Sequence, residues 1–293
     1  MKKFAPIVST LTTVVIMVCM ACVVSGCSNV YNNVYKTEDY AYKYEQAKEY
    51  YAQGRYQYCS SLLEQLIYML KTSSQGEEAL FMNAMCYYNQ GDYETSSLYF
   101  ERYYKSYPKG TYTELARFFN GCAAFYQSPD PRLDQTPTVK AMQQLQEYLE
   151  FYPYSKRKDQ VTDMLFTLQN RLVEKEYRAA KLYYNLGNYV GNCTNGGSNF
   201  EACILTAENA LKTYPYTSLR EDLYMMILKS RYRLAQNSVE EKAEERYRQV
   251  IDEYYGFRNE FPDSKHMKDA DDIFTSSSKK INKRGVQTEF KGS

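Results

Sequence analysis

The sequence contains no tryptophan and one histidine, His266, which Lys265 and Lys268 flank in a polar stretch. A single imidazole excludes zinc sites built from several histidines, and it leaves any Ser-His-Asp or Cys-His centre hanging on that one residue. The phosphate loop GxxxxGKS/T, a GxGxxG turn after a strand, HExxH and GxSxG are all missing. The acidic pairs Glu77-Glu78, Glu240-Glu241 and Asp271-Asp272 sit on polar helix starts or faces, where carboxylates are ordinarily solvated. The expectation is therefore a protein without catalysis, metal or bound cofactor. An excess of one charge is missing too: 36 Lys plus Arg oppose 35 Asp plus Glu, so nucleic acid is not an implied partner. What the chain has in quantity is tyrosine, 33 residues, in a composition that is 44% hydrophobic and capable of a substantial core. A phenol joins a broad apolar face to one polar tip, which suits half-buried helix faces and grooves.

The N-terminus reads as an export signal over residues 1–26. Lys2 and Lys3 precede an apolar run from Phe4 to Val24, and Val24-Ser25-Gly26-Cys27 has the form of a lipobox. Small residues admit the extended backbone to a peptidase, and only a cysteine offers the sulfur that takes a diacylglycerol, followed by an N-acyl chain on the new amino terminus. Several acyl chains, at about 0.8 kcal/mol per buried methylene, hold a domain on a bilayer durably. The alternative for the same run is a transmembrane anchor, since it is long enough to span. Residues 27–37 then form a lipidated tether. Ser28 directly after the cysteine resembles the sorting signal for the outer membrane, and the lack of an acidic residue in Ser28-Asn29-Val30-Tyr31 places the chain on the periplasmic face.

Proline orders the rest. Four prolines follow an aromatic residue, in Tyr107-Pro108, Tyr152-Pro153, Tyr214-Pro215 and Phe261-Pro262, while Pro129, Pro131 and Pro137 share one loop. Proline lacks the amide hydrogen that continues a helix, so a recurring aromatic-Pro pair marks a recurring helix end. Between Glu77 and Gly110, Leu80, Ala84, Tyr87, Gly91, Tyr93, Ser96, Phe100 and Pro108 fall at the offsets of the roughly 34-residue tetratricopeptide (TPR) motif. Ala47, Tyr50, Gly54, Tyr56, Cys59 and Leu63 repeat that pattern one unit earlier. Gly121, Ala124, Ala141, Leu145 and Tyr148 make a third unit, and Ala180, Tyr183, Gly187, Tyr189, Cys203, Ala207 and Ala210 a fourth. A degenerate fifth spans about 218–262, and a capping helix follows over roughly 264–282. The expected fold is an all-α solenoid of about five such repeats: repeats one to three over 38–153, repeats four and five with the cap over 154–282, and a polar tail at 283–293. Two turns are enlarged, Gln127 to Thr138 and Asn188 to Asn199, and the second carries Gly191, Gly196 and Gly197.

Cys59 and Cys203 stand where Ser96 and Ala141 stand in their own repeats, a position that demands a small buried side chain. A disulfide between Cys193 and Cys203 is left open by an oxidising compartment. Projecting the groove-facing positions of TPR first helices onto the chain gives Tyr44, Lys48, Tyr51, Phe81, Met85, Tyr88, Phe118, Phe125 and Tyr126. Such a trough would take an extended peptide with aromatic side chains. The competing explanation is that a chain so rich in tyrosine shows it on every face.

Two segments carry a more specific likeness. Ser128-Pro129-Asp130-Pro131-Arg132-Leu133-Asp134-Gln135-Thr136 with Lys140-Ala141, and Arg171-Leu172 with Glu176, Tyr177, Ala180, Tyr183, Tyr184 and Gly187, resemble the BamD family of β-barrel assembly lipoproteins, in a Bacteroides-like version. The likeness covers about residues 27–282, and the glycine-rich insertion and the tail from Arg284 depart from it. The resemblance implies a non-catalytic scaffold whose C-terminal repeats hold the periplasmic domains of the barrel-forming insertase BamA. Its N-terminal repeats would receive unfolded outer membrane proteins through a C-terminal aromatic signal. Insertase docking is expected at Arg220, Lys229, Arg231 and Arg233, for which solvated surface is the competing explanation. A lipid-anchored TPR adaptor for another envelope or secretion complex is the alternative function, because partners rather than fold separate the two.

Overall fold

The computed structural model describes residues 30–189 and 198–291, with side chains to residue 282. The signal run, Cys27, Cys193 and the glycines of the repeat-four insertion lie outside the described residues. Everything regular among the described residues is helical. A helical segment at 30–36 precedes α1 (Tyr40–Ala52), α2 (Tyr56–Leu70), α3 (Gly76–Gln90), α4 (Tyr93–Ser106), α5 (Thr113–Gln127), α6 (Thr136–Phe151), α7 (Lys158–Leu186), α8 (Asn199–Thr213), α9 (Arg220–Gln236), α10 (Glu240–Glu260) and α11 (Met267–Lys291). Neighbours in sequence pack as helix pairs, the TPR arrangement expected from the sequence. The chain divides into two compact units, Met1–Gln127 with Gln143–Ser155 and Ser128–Met142 with Lys156–Ser293, so the boundary runs through α6.

Local chemistry sets the helix ends. Asp39, Asp92 and Ser198 accept backbone N–H bonds from Tyr42, Thr95 and Phe200 at the starts of α1, α4 and α8. Gly54 and Gly91 close the first helices of repeats one and two at φ of 74° and 79°, where a side chain would be strained. The second helices end on the aromatic-Pro pairs with one recurring geometry: Tyr107, Tyr214 and Phe261 have φ, ψ of −127°, 70°; −129°, 67°; and −128°, 63°. The following proline pushes each of these residues out of the helical region. From Lys158 to Leu186 the sequence has neither glycine nor proline, and α7 accordingly runs 29 residues, well upstream of the Arg171 at which the likeness begins. The last helix likewise continues past residue 282 to Lys291.

In the first unit, Leu62, Leu63 and Leu66 of α2 pack with Ala47, Cys59 and Cys86, and Phe100 and Tyr103 of α4 pack with Ala84 and Ala116. Ser96 is buried and its hydroxyl donates to the Ala84 carbonyl at 3.1 Å, which fastens α4 onto α3. In the second unit, Cys203, Ala207 and Leu223 form one cluster, and Val250, Tyr254 and Phe257 form another with Leu228. The Ser230 hydroxyl lies 3.1 Å from the Cys203 sulfur.

Four fully buried tyrosines share one solution to burying a hydroxyl. Tyr44 donates to Glu78 at 2.9 Å, Tyr103 to Glu77 at 2.5 Å, Tyr148 to Glu114 at 3.0 Å and Tyr254 to Asp271 at 2.7 Å. Glu77, Glu78 and Glu114 stand in the first turns of α3 and α5, where the helix dipole also favours negative charge. The same carboxylates hold the turns after the aromatic-Pro pairs: Glu77 accepts from the Thr111 N–H, and Glu114 from the Ser155 hydroxyl at 2.7 Å. Burial, and then the adjoining carboxylate, raises the Tyr44, Tyr103 and Tyr254 hydroxyls above their ordinary pKa, so they remain donors. Tyr148→Phe is expected to lower stability by about 1 kcal/mol in urea unfolding, because the half-buried Glu114 loses one of its two hydroxyl donors and keeps Ser155. Tyr154→Phe, at a residue 97% exposed, is expected to stay within about 0.5 kcal/mol.

Candidate functional site

The first helices of the first two repeats, α1 and α3, together with the turn into α5, enclose a hollow of about 270 Å³ lined by Lys48, Tyr51, Glu78, Phe81, Met82 and Tyr112. The three-to-four-residue spacing of Lys48 and Tyr51 puts them on one stripe of α1, and Phe81 and Met82 face them from α3. Phe81 stacks on Tyr112 with centroids 4.7 Å apart and planes at 17°, and it meets Phe100 and Tyr103 behind it at 5.7 Å each. Tyr51 meets Tyr56 edge-on at 5.6 Å, and burial pushes its hydroxyl pKa up. At the rim, Lys48 pairs with Glu45 at 2.8 Å and lies 5.1 Å from the centre of the Tyr44 ring.

The trough residues expected from the sequence separate into three groups. Tyr51 and Phe81 are brought together at this hollow. Tyr88, Phe125 and Tyr126 gather in a second aromatic cluster: Tyr88 meets Tyr93 and Phe119 edge-on at 5.4 and 5.2 Å, Tyr126 stacks on Tyr93 at 4.8 Å, and Phe125 meets Tyr126 at 5.5 Å. Phe100 and Phe119, stacked at 5.8 Å, connect the two clusters through the core, and Met85 packs half-buried beside them. Tyr44 and Phe118 are not trough residues. They are 1% and 5% exposed, Tyr44 turned down onto Glu78 and Phe118 packed at 5.7 Å against Tyr148. Helical register assigns them to the correct side of their helices but does not fix their depth. Glu78, Met82 and Tyr112 were missed. Tyr112 precedes α5, so a projection of helix positions passes over it, although its place just after the Tyr107-Pro108 turn was visible.

In the second unit, the loop from Ser128 to Thr136 is braced from within. Gln135 is buried, donates to the carbonyls of Asp130 and Leu133 at 2.9 and 3.2 Å, and accepts from the Thr138 hydroxyl at 2.7 Å. Arg171 of α7 donates to the Ser128 carbonyl at 2.8 Å, and Lys175 to that of Leu133 at 3.3 Å. The two segments that carry the specific likeness thus form one structural element.

The four cations singled out for docking differ in how they are held. Arg220 is bonded to Glu260 and to the Pro215 carbonyl at 3.0 Å, Lys229 pairs with Asp269 at 2.8 Å, and Arg231 bridges Glu208 at 2.6 Å and Glu253 at 3.0 Å. Burial raises the Glu253 carboxyl despite Arg231 beside it, which marks the site as partly desolvated. Arg233 is exposed and donates to Gln236 at 3.3 Å. Three of these cations are therefore members of ion pairs that join α9 to its neighbours. Among the described residues, no group of three or more His, Cys, Asp or Glu is placed to hold a metal ion, and no helix is long and apolar enough to cross a membrane.

Comparison with known proteins gives one informative match. The model of the family described as YfiO, outer membrane lipoprotein, matches residues 36–195, a span that includes the aromatic hollow and the braced loop. No curated protein matches the chain. Among solved structures, the nearly identical TPR-like repeats of a Podosopora anserina kinesin light chain are 15% identical and cover 75% of this chain and 95% of their own, with a TM-score of 0.31.

The two kinds of surface cation are separable by stability. Arg231→Ala, which strands the partly buried Glu253, is expected to cost roughly 2 kcal/mol in urea unfolding. Arg233→Ala is expected to change it by less than about 0.5 kcal/mol.

Proposed function

The chain belongs to the YfiO family of outer membrane lipoproteins, and from that premise we propose that it is a non-catalytic scaffold of β-barrel assembly on the periplasmic face of the outer membrane. In this reading, acyl chains on Cys27 hold it there, the first unit receives unfolded outer membrane proteins, and the second holds the periplasmic domains of the barrel insertase, BamA. The observation that carries it is the hollow between α1 and α3. It is walled by Tyr51, Phe81 and Tyr112, open to solvent, and built on helices whose backbones the buried Tyr44 and Tyr103 hydroxyls hold in place.

A ring-lined hollow on a rigid floor suits the aromatic side chain that ends a transmembrane β-strand. Ring-on-ring contact adds about 0.5–1.5 kcal/mol per pair beyond the area buried. Two walls therefore suffice to distinguish an aromatic terminal residue from an aliphatic one by about tenfold. For insertase docking, Arg233 is the cation best suited to an outside partner, since Arg220, Lys229 and Arg231 already serve acids of the fold. Arg220, Lys229 and Arg231 would shape that surface more than bind through charge.

The test is binding of a fluorescent peptide that ends in an aromatic-terminated amphipathic strand, followed by anisotropy. Tyr51→Ala with Phe81→Ala is expected to weaken it about tenfold or more, while Tyr154→Ala leaves it unchanged. Unaltered binding by the double variant, with circular dichroism confirming its helix content, would remove the hollow from the reading.

A further inference from the structure

The aromatic hollow has a counterpart in the second unit that the sequence motifs did not point to. Gly54 and Gly187 both end a first helix in a positive-φ turn, at 74° and 52°. Counting back from each, Tyr51, Lys48 and Tyr44 of α1 correspond residue for residue to Tyr184, Lys181 and Tyr177 of α7. On the next first helix, Glu78, Phe81 and Met82 of α3 correspond to Asp222, Met225 and Met226 of α9. Tyr112 and His266 then occupy the same turn: each carbonyl accepts the N–H of a fully buried alanine four residues on, Ala116 at 2.7 Å and Ala270 at 3.0 Å. A second hollow, of about 180 Å³, is lined at these equivalent positions by Lys181, Tyr184, Asp222, Met225, Met226 and His266.

The chemistry of the two differs where it matters. The Phe81 ring is replaced by the flexible Met225, the Tyr112 ring by His266, and Met85 by Lys229, which also lines this hollow. Two ring walls are lost and one lysine is gained. The acids present are already engaged: Asp222 lies 2.8 Å from His266 Nε2 and 3.1 Å from Lys265 Nζ, and Asp269 lies 2.8 Å from Lys229 Nζ. Lys181 is exposed, stands 5.9 Å from the centre of the Tyr177 ring, and makes no ion pair among the described residues. Lys181 and Lys229 thus line the hollow together with one carboxylate, Asp222, which His266 and Lys265 already engage, over a floor of methionine and tyrosine that suits the methylenes of a side chain.

We propose that this second hollow binds an acidic side chain of an extended polypeptide partner, with Lys181 meeting the carboxylate and Met225, Met226 and Tyr184 packing its stem. The inference rests on the register and charge of the second unit and stands apart from the function proposed for the first. It explains why the tetratricopeptide phase is kept at both places while the ring walls are not.

The experiment uses the full-length chain purified from membranes in a zwitterionic detergent, with two fluorescein-labelled peptides, Ser-Thr-Val-Glu-Val-Thr-Ser and its twin with Gln for Glu, followed by anisotropy. The Glu peptide is expected to bind at least tenfold more tightly than the Gln twin. Lys181→Glu, at an exposed residue outside the ion pairs, is expected to abolish the difference with the thermal unfolding curve unchanged. Lys48→Glu, at the equivalent position of the first hollow, is expected to preserve it. Equal binding of the twins, a preference that survives Lys181→Glu, or one that Lys48→Glu removes would each overturn the proposal.

Discussion

A tyrosine hydroxyl taken out of water must find an acceptor, and in this protein the acceptor is a carboxylate early in a neighbouring helix. Tyr44 with Glu78, Tyr103 with Glu77, Tyr148 with Glu114 and Tyr254 with Asp271 repeat that arrangement along the chain. The pairing does two things at once. It lets a large ring be buried without an unpartnered polar atom, and it ties helix to helix: α1 to α3 through Tyr44, α4 to α3 through Tyr103, α6 to α5 through Tyr148 and α10 to α11 through Tyr254. A chain without tryptophan and with 33 tyrosines can bury large rings on these terms, because each of these four phenols brings its own attachment point.

The aromatic-Pro pairs supply the complementary constraint. Tyr107, Tyr214 and Phe261 end second helices at nearly the same φ and ψ, and the turn after each of the four pairs is bonded back to a carboxylate or amide of the preceding first helix: Thr111 to Glu77, Ser155 to Glu114, Thr217 to Asn170 and Ser264 to Glu221. With both ends of each helix pair set, the stripe of residues that faces the groove recurs in phase. The two hollows at equivalent positions are consequences of that phase. Their linings differ, Phe81 and Tyr112 in one against Met225 and His266 in the other, so a repeat scaffold changes its surface chemistry without changing how it folds.

The repeats were legible because proline and glycine act on their own backbone. Tyr107-Pro108, Tyr152-Pro153, Tyr214-Pro215, Phe261-Pro262, Gly54, Gly91 and Gly187 all end helices where their chemistry requires. Tyr51 and Phe81 were legible through helical register, and Tyr44 and Phe118 were misplaced by it, since register gives a direction and the neighbouring helix decides the depth. The docking cations show the limit most clearly. Their charge is a property of the sequence, but the acids that hold Arg220, Lys229 and Arg231 come from other helices, and no local pattern announces Glu260, Asp269, Glu208 or Glu253 as their partners. The second hollow escaped notice for a related reason, because Met225 and His266 stand where the first has the rings of Phe81 and Tyr112.

Family membership gives an outer membrane lipoprotein, and the proposed role in barrel assembly is a claim about the company the protein keeps. The most direct measurement is to solubilise outer membranes gently, capture the chain by a C-terminal tag, and identify its stoichiometric partners by mass spectrometry. The account predicts recovery of the barrel-forming insertase with its periplasmic domains. Recovery of a different envelope complex in its place would contradict it, and would give these repeats the work of an adaptor elsewhere in the envelope.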